Sequence, residues 1–355
     1  MSHLFDPLPL RGVTLRNRVG VSPMCQYSAQ NGMANDWHKI HLGARAMGGA
    51  GLVITEAVAV EPRGRISPGC LGIWDDAHAA ALAETVAFCK SQGATMGIQL
   101  AHAGRKASSK RPWDGGGNAP DAQGGWDIVG PSNQPYSEAY RTPRALSVDE
   151  IRGIQHAFAD AARRAISAGF DLIEIHAAHG YLLHSFYSPL SNTRADEYGG
   201  NFDNRIRMLI ETTRVVRGAI PETAPLCVRL SCTDWVEGGW TLEDSIALAA
   251  RLKNEGVDIV DCSSGGNSPA QKVTPGAGYQ VPFAEGIRRA ASIPTMAVGL
   301  ISEPTHADEI IRNGRADVAL IARASLRDPN WPIHAARVLG SDFKSLVPVQ
   351  YVRGY

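Results

Sequence analysis

The chain has 355 residues, and its 35 lysines and arginines balance 35 aspartates and glutamates for a formal net charge of zero. That length suits one α/β barrel with insertions, covering residues 1–355 as a single domain, and it can bury a large core. The charge balance argues against capture by nucleic acid or an anionic membrane surface and leaves a small molecule as the expected partner.

In chain order, the start from Met1 to Asp6 has no basic segment leading into an apolar stretch, and no later apolar run approaches a membrane span. A cytoplasmic chain is expected. The segment Leu10, Arg11, Gly12, Val13, Thr14, Leu15 predicts a small hairpin, placed at the bottom of a barrel. Eight short apolar segments then predict strands at 18–24, 51–57, 95–100, 171–175, 226–231, 258–262, 295–299 and 318–321. They are continuous apolar runs more than alternating ones, as parallel strands covered on both faces should be. Amphipathic, Ala-rich helices are predicted over 76–91, 148–168 and 242–255, the second opened by a capping box of Ser147 and Glu150. Gly93, Gly169, Gly256 and Gly314 follow helical runs where a left-handed residue is wanted.

Eight such units predict a closed (β/α)8 barrel, and no G-x-G-x-x-G follows a strand to support an open dinucleotide-binding sheet. Residues 103–147 form one long irregular connection with several prolines, Trp113 and Trp126; it reads as a lid or binding loop, the alternative being a disordered insertion. Six cysteines at 25, 70, 89, 227, 232 and 262 show no C-x-x-C spacing, so free thiols are expected.

In a barrel of this kind the chemistry gathers where strands end. The fourth strand ends in His176, Ala177, Ala178, His179, Gly180 and Tyr181. Two imidazoles on a tight turn can aim two donors at one oxygen, and a phenol two residues on can supply a proton. A metal pair or a structural histidine cluster fits the same spacing. The other strand ends bring Ser22, Pro23, Met24, Cys25 and Tyr27, then Ala57, then Gln99, to the same rim. Gly265 after the sixth strand and Gly299 after the seventh, with Ala322 and Arg323 after the eighth, suggest a phosphate cradle. Arg229 is a charge in an otherwise apolar strand. It either pairs with Glu174 or Glu56 in neighbouring strands or offsets negative charge on a cofactor. Gln99 suits an imide edge or a backbone partner, and Cys25 taken alone reads as a small core residue. Lys106 opens the long loop without an assigned role.

Five stretches of the chain resemble the Old Yellow Enzyme family of FMN-dependent ene-reductases, and within it the bacterial thermophilic-like subgroup. They are Ser22 to Ser28, Gln99 to Lys106, His176 to Leu182, Arg194 to Gly200 and Asn313 to Asp317. The resemblance covers nearly the full length and implies an NADPH dehydrogenase that uses FMN, with NADPH or NADH as co-substrate. It implies FMN contacts from Ser22 to Cys25, Ala57, Gln99, Arg229, Gly299, Ala322 and Arg323, with Cys25 beside the flavin. It further implies that His176 and His179 bind the activating oxygen of an alkene, that Tyr181 donates a proton and that Tyr27 lines the pocket. The 340–355 tail, through Arg353, would reach a neighbouring subunit's site in a homodimer or homotetramer. The 107–145 loop is longer than in shorter subgroup members, and Tyr355 stands where others carry Trp.

Reduction of activated alkenes (enones, enals, maleimides, nitroalkenes) in a ping-pong cycle is the leading expectation. A metal-dependent hydrolase using His176 and His179, or a catalytically silent flavin-binding protein, are the alternatives.

Overall fold

The computed structural model describes residues 3–355; Met1 and Ser2, the first residues of the start segment, lie outside them. β1 (Leu8–Leu10) and β2 (Val13–Leu15) pair as an antiparallel hairpin. Then come β3 (Val19–Val21), β4 (Leu52–Ala59) and β5 (Thr95–Ala101), and, within the long loop, a small sheet of β6 (Val129–Gly130) and β7 (Arg144–Ala145). β8 (Leu172–Ala177), β9 (Leu226–Ser231), β10 (Ile259–Ser263), β11 (Thr295–Ala297) and β12 (Val318–Ile321) complete the set. Eight of them, β3, β4, β5, β8, β9, β10, β11 and β12, close into a barrel in which all neighbours run parallel. The expected (β/α)8 barrel is the observed one.

Helices alternate with these strands: α1 (Asp36–Met47), α2 (Asp76–Ser91), α3 (Val148–Ser167), α4 (Leu182–Tyr187), α5 (Phe202–Ala219), α6 (Leu242–Asn254), α7 (Val281–Ala291), α8 (Pro304–Arg312), α9 (Arg323–Arg327) and α10 (Trp331–Val338). Every residue of β4, β8, β9, β10 and β12 is buried, which is why these segments read as continuous apolar runs. The capping box at the start of α3 forms as expected: Ser147 Oγ accepts from Glu150 N at 3.2 Å, and Glu150 Oε2 accepts from Ser147 N at 3.0 Å. Such a cap is worth about 1 kcal/mol. Gly93, Gly169, Gly256 and Gly314 all take positive φ.

Two strands are shorter than expected. β3 stops at Val21 because Pro23 has no N–H to donate, and the chain from Pro23 to Ser28 runs half-buried along the barrel mouth instead. β11 stops at Ala297, ahead of Gly299 at φ 129°. β4, by contrast, continues through Ala59 past a bulge between Ile54 and Ala57. Beyond the bulge Glu56 Oε2 accepts from Gln26 N at 3.1 Å, and Ala57 packs with Cys25 and Tyr27.

The hairpin closes the barrel bottom, as expected. Leu10 and Leu15 pack into one apolar cluster with Leu52, Leu172, Ile259, Met296 and Val318 from five barrel strands. At the opposite end, the 103–147 loop is folded over the mouth, with Trp113 edge-on to Tyr27 at 5.8 Å between ring centroids. Trp126 Nε1 donates to the Arg63 carbonyl at 2.9 Å.

Candidate active site

The turn after β8 is built to hold two imidazoles and a phenol together. His179 has φ 60°, a left-handed conformation that a residue with a Cβ adopts only when its surroundings impose it. The cause lies in the turn after β10. A Cβ on Gly180 would meet Gly266 O at 2.2 Å, and one on Gly266 would meet His179 Cα at 2.7 Å, so the two turns pack main chain to main chain. Gly180 N donates to His184 Nδ1 at 2.9 Å, and His184 Nε2 lies 3.0 Å from the buried Asp234 carboxylate. His179 N donates to Ser231 Oγ at 2.9 Å.

The result is a compact triad of rings. His176 and His179 centroids are 5.2 Å apart, His176 and Tyr181 5.0 Å, and His179 and Tyr181 6.5 Å, each pair edge-on. Burial first, and the Arg229 charge second, push both imidazoles well below the usual histidine range, so both are neutral near pH 7. Burial likewise pushes the Tyr181 phenol well above its usual value, and it keeps its proton.

Tautomers follow from the hydrogen bonds. His176 Nδ1 accepts from Ala178 N at 3.2 Å, which leaves the proton on Nε2. The same pattern recurs in His38, His102 and His184, whose Nδ1 atoms accept backbone N–H groups while Nε2 faces Glu56, Glu61 or Asp234. His176 differs: among the described residues no carboxylate pairs with its Nε2, and no side chain hydrogen-bonds to the Tyr181 hydroxyl. Both are donors without an acceptor among the described residues. His179 Nε2 lies 2.7 Å from Ser263 Oγ, a hydroxyl able to donate or accept.

Cys25, Tyr27, Tyr181 and Ala57 meet in a small apolar cluster with Cys70, Ala101 and Ile66. Burial, then Cys70 and Glu56, push the Cys25 thiol well above its usual value, so it is a neutral thiol. Tyr27 stands at φ 52°, a second strained residue at this rim.

A cavity of about 290 Å³ is lined by Ser22, Pro23, Arg229, Gly299, Ala322 and Arg323, among others, and Arg229 is the register neighbour of His176 across β8 and β9. Six of the expected cofactor residues are thereby brought together. Arg323 is exposed and has no ion pair among the described residues. Gly265 is not among the lining residues. Its carbonyl accepts from Ser231 Oγ at 2.8 Å, and Ser231 Oγ in turn accepts from His179 N, so the turn after β10 is tied to the His179 turn.

Arg229 needs a correction. Its Nε faces Asp261 Oδ2 at 3.3 Å, not Glu174 or Glu56, because Asp261 is its register neighbour on β10 whereas Glu174 lies opposite Cys227. Glu56 faces His38 Nε2 at 3.3 Å. The other edge of Arg229 reaches Ser22 Oγ at 3.4 Å, on the cavity wall. Gln99 donates from Nε2 to Glu174 Oε1 at 2.7 Å, a side-chain partner in place of the backbone one considered. Burial raises both Glu174 and Asp261, opposed by Arg229.

Three residues here escaped the sequence reading: His184, Ser263 and Asp234. Each acts through a contact between elements remote in sequence, and only the position of His184 three residues after Tyr181 was a signal. Arg353 lies in the exposed final turn, Val349–Gly354, and touches no part of its own chain's site.

A family model described as NADH:flavin oxidoreductase / NADH oxidase matches residues 3–341. The chain belongs to that family. It is the Old Yellow Enzyme family, and its members pair FMN with NADPH or NADH as reductant. An NADPH dehydrogenase of Geobacillus sp. (strain WCH70) is 49% identical over 99% of this chain and 98% of its own. Morphinone reductase in complex with tetrahydroNAD superposes with a TM-score of 0.79 at 28% identity, covering 96% of this chain and 92% of that one. The old yellow enzyme homologue from Zymomonas mobilis gives 0.78 at 27% identity, over 100% and 98%. The Old Yellow Enzyme family membership makes this chain an FMN-linked NAD(P)H oxidoreductase and sets aside the metal-dependent hydrolase. No helix of the described residues is long and apolar enough to cross a membrane.

Proposed function

We propose that this enzyme reduces the activated C=C bond of α,β-unsaturated carbonyl compounds, maleimides or nitroalkenes, taking NADPH and alkene in turn at one barrel mouth. The observation that carries the reading is the pair of unsatisfied donors, His176 Nε2–H and the Tyr181 hydroxyl, on rings with centroids 5.0 Å apart, His176 being the register neighbour of the cavity-lining Arg229. Bound FMN supplies the hydride that reaches the alkene β-carbon.

The residues of the chain do the rest. His176, and His179 in its Nδ1–H form with Ser263 donating to Nε2, hold the carbonyl or nitro oxygen as it gains negative charge. Neutral, fixed N–H donors in a site withdrawn from water favour that charge more in the transition state than in the ground state. Tyr181 gives its proton to the carbon next to the activating group. Tyr27 and Cys25 wall the pocket. Ser22 to Cys25, Ala57, Gln99 and Arg229 would hold the flavin ring, and Gly299, Ala322 and Arg323 its phosphate end. The fit rests on the cavity and on an exposed guanidinium with no carboxylate of its own.

The oligomer is part of the proposal. Val349, Tyr351, Val352 and Tyr355 expose apolar surface on the tail, as do Trp37 and Ile40 on α1. A partner subunit covering them would receive Arg353 at its own mouth. Deleting residues 352–355 is expected to raise the Michaelis constant severalfold with FMN content retained. A strictly monomeric enzyme by light scattering, fully active after that truncation, contradicts the shared site.

The function is tested anaerobically in two steps. NADPH should bleach the flavin of the holoenzyme, and 2-cyclohexenone added afterwards should restore the colour with cyclohexanone formed in equal amount. Bleaching that only oxygen reverses would leave the silent flavoprotein or a plain NADPH oxidase.

A further inference from the structure

Lys106 is a charged residue of the mouth to which the reading above gives no task. It ends the 3₁₀ turn Gly104–Lys106, directly after β5. Its Nζ donates to His179 O at 2.8 Å and to Gly266 O at 2.8 Å. It also lies 5.3 Å from the centroid of the Tyr181 ring and 4.5 Å from that of Tyr136 in the long loop. No carboxylate pairs with it among the described residues. A half-buried ammonium without a counter-ion carries a desolvation cost, which its two carbonyl bonds and two aromatic faces offset.

The two carbonyls belong to the turns that meet main chain to main chain. Packed so closely, their oxygens need a donor between them, and His179 holds its strained φ only while that junction stays closed. An ammonium supplies both bonds at once and places a positive charge beside the phenol that must part with a proton.

We propose that Lys106 is a positioning residue for alkene protonation: its ammonium clamps the His179 and Gly266 carbonyls, fixes the His179 and Tyr181 rings, and favours the Tyr181 phenolate left after proton transfer. The proposal rests on the assignment of His176, His179 and Tyr181 made above.

Its pH signature has a definite sign. Burial first, then the Arg105 charge, lower Lys106 to about 7. The groups facing it are Arg105, Tyr136, His176, His179, Tyr181 and His184, none of them anionic near neutrality. The clamp is therefore fully charged below about 7, and as pH rises through that value the charge-assisted bonds become neutral ones. The rate of alkene reduction by the pre-reduced holoenzyme should fall along the same limb.

The test follows that half-reaction by stopped flow across the neutral range in the native enzyme, Lys106→Met, Lys106→Gln and Tyr181→Phe. Lys106→Met is expected to slow it roughly ten- to a hundredfold and to abolish the limb. Lys106→Gln keeps two N–H donors and should recover part of the rate without recovering the limb. Calorimetric affinity for pentafluorophenol, a phenol ionised throughout this range, should weaken with rising pH in the native enzyme and be flat in both Lys106 variants. An unchanged rate and limb in Lys106→Met beside a slowed Tyr181→Phe overturns the Lys106 role alone. If Lys106→Met does not fold, a Lys106→Gln enzyme that retains both the limb and the pH-dependent phenol affinity overturns it equally. An unaffected Tyr181→Phe overturns the Tyr181 assignment and this proposal with it.

Discussion

The two ends of the barrel are built from opposite chemistry. At the bottom, β1 and β2 press Leu10 and Leu15 into a buried apolar plug with residues of six barrel strands, and the one strained residue of the hairpin, Arg11 at φ 51°, lies in its turn, outside the plug. At the top, His179 and Tyr27 sit at positive φ, Arg229 is buried against Asp261, and a lysine with no carboxylate bridges two carbonyls. Strain and buried charge persist only where the surrounding structure over-determines them. The apolar base and the closed ladder provide that rigidity, and the rim converts it into fixed donors at a site where charge develops.

Removing a donor and removing part of the plug should therefore have separable effects. His176→Ala takes away an imidazole donor of the ring triad; alkene reduction should fall by about 10²- to 10³-fold with little change in melting temperature. A large loss of stability with an intact rate would place His176 in the architecture instead. Leu15→Ala should do the reverse. It leaves a cavity in the plug, costs about 2–5 kcal/mol in urea unfolding and leaves the half-reaction rates of the folded fraction near native values.

A smaller effect sharpens the contrast by pH. Glu61, after β4, faces His102 Nε2 at 2.8 Å and Arg63 at 2.5 Å. Burial alone would raise its carboxyl, but His102 and Arg63 outweigh that and hold it down at about 2. A depressed carboxylate stabilises the fold above its unfolded value near 4.3, and that contribution is lost as pH falls toward about 2. Glu61→Gln should flatten the acid limb of stability by roughly 1–3 kcal/mol, measured by urea melts over that range. An unchanged acid limb would show that the rim carries no such linkage.

Much of this contrast was legible in the sequence. The eight strands stand out because each is buried on both faces, and the bottom hairpin because its apolar residues alternate with polar ones. The His176, His179 and Tyr181 set is legible because it follows one apolar run within six residues. Register is not legible: Arg229 meets Asp261 and not Glu174 only because of how β9 aligns with β10 and β8. Nor are contacts between turns, which is why the packing of Gly266 against the His179 turn is not evident from the sequence, and why Lys106 has no evident task until Gly266 is beside it. Strand ends blur where the chain leaves the ladder to line a cavity, as at Val21 and Ala297.

The central claim is that Tyr181 delivers the proton while the histidines hold the oxygen. The most direct measurement compares the two half-reactions of Tyr181→Phe in stopped flow. Reduction by NADPH should proceed within about twofold of the native rate, and alkene reduction by the pre-reduced enzyme should slow by roughly 10²- to 10⁴-fold. Equal slowing of both half-reactions, or of neither, would contradict the assignment of Tyr181 as proton donor.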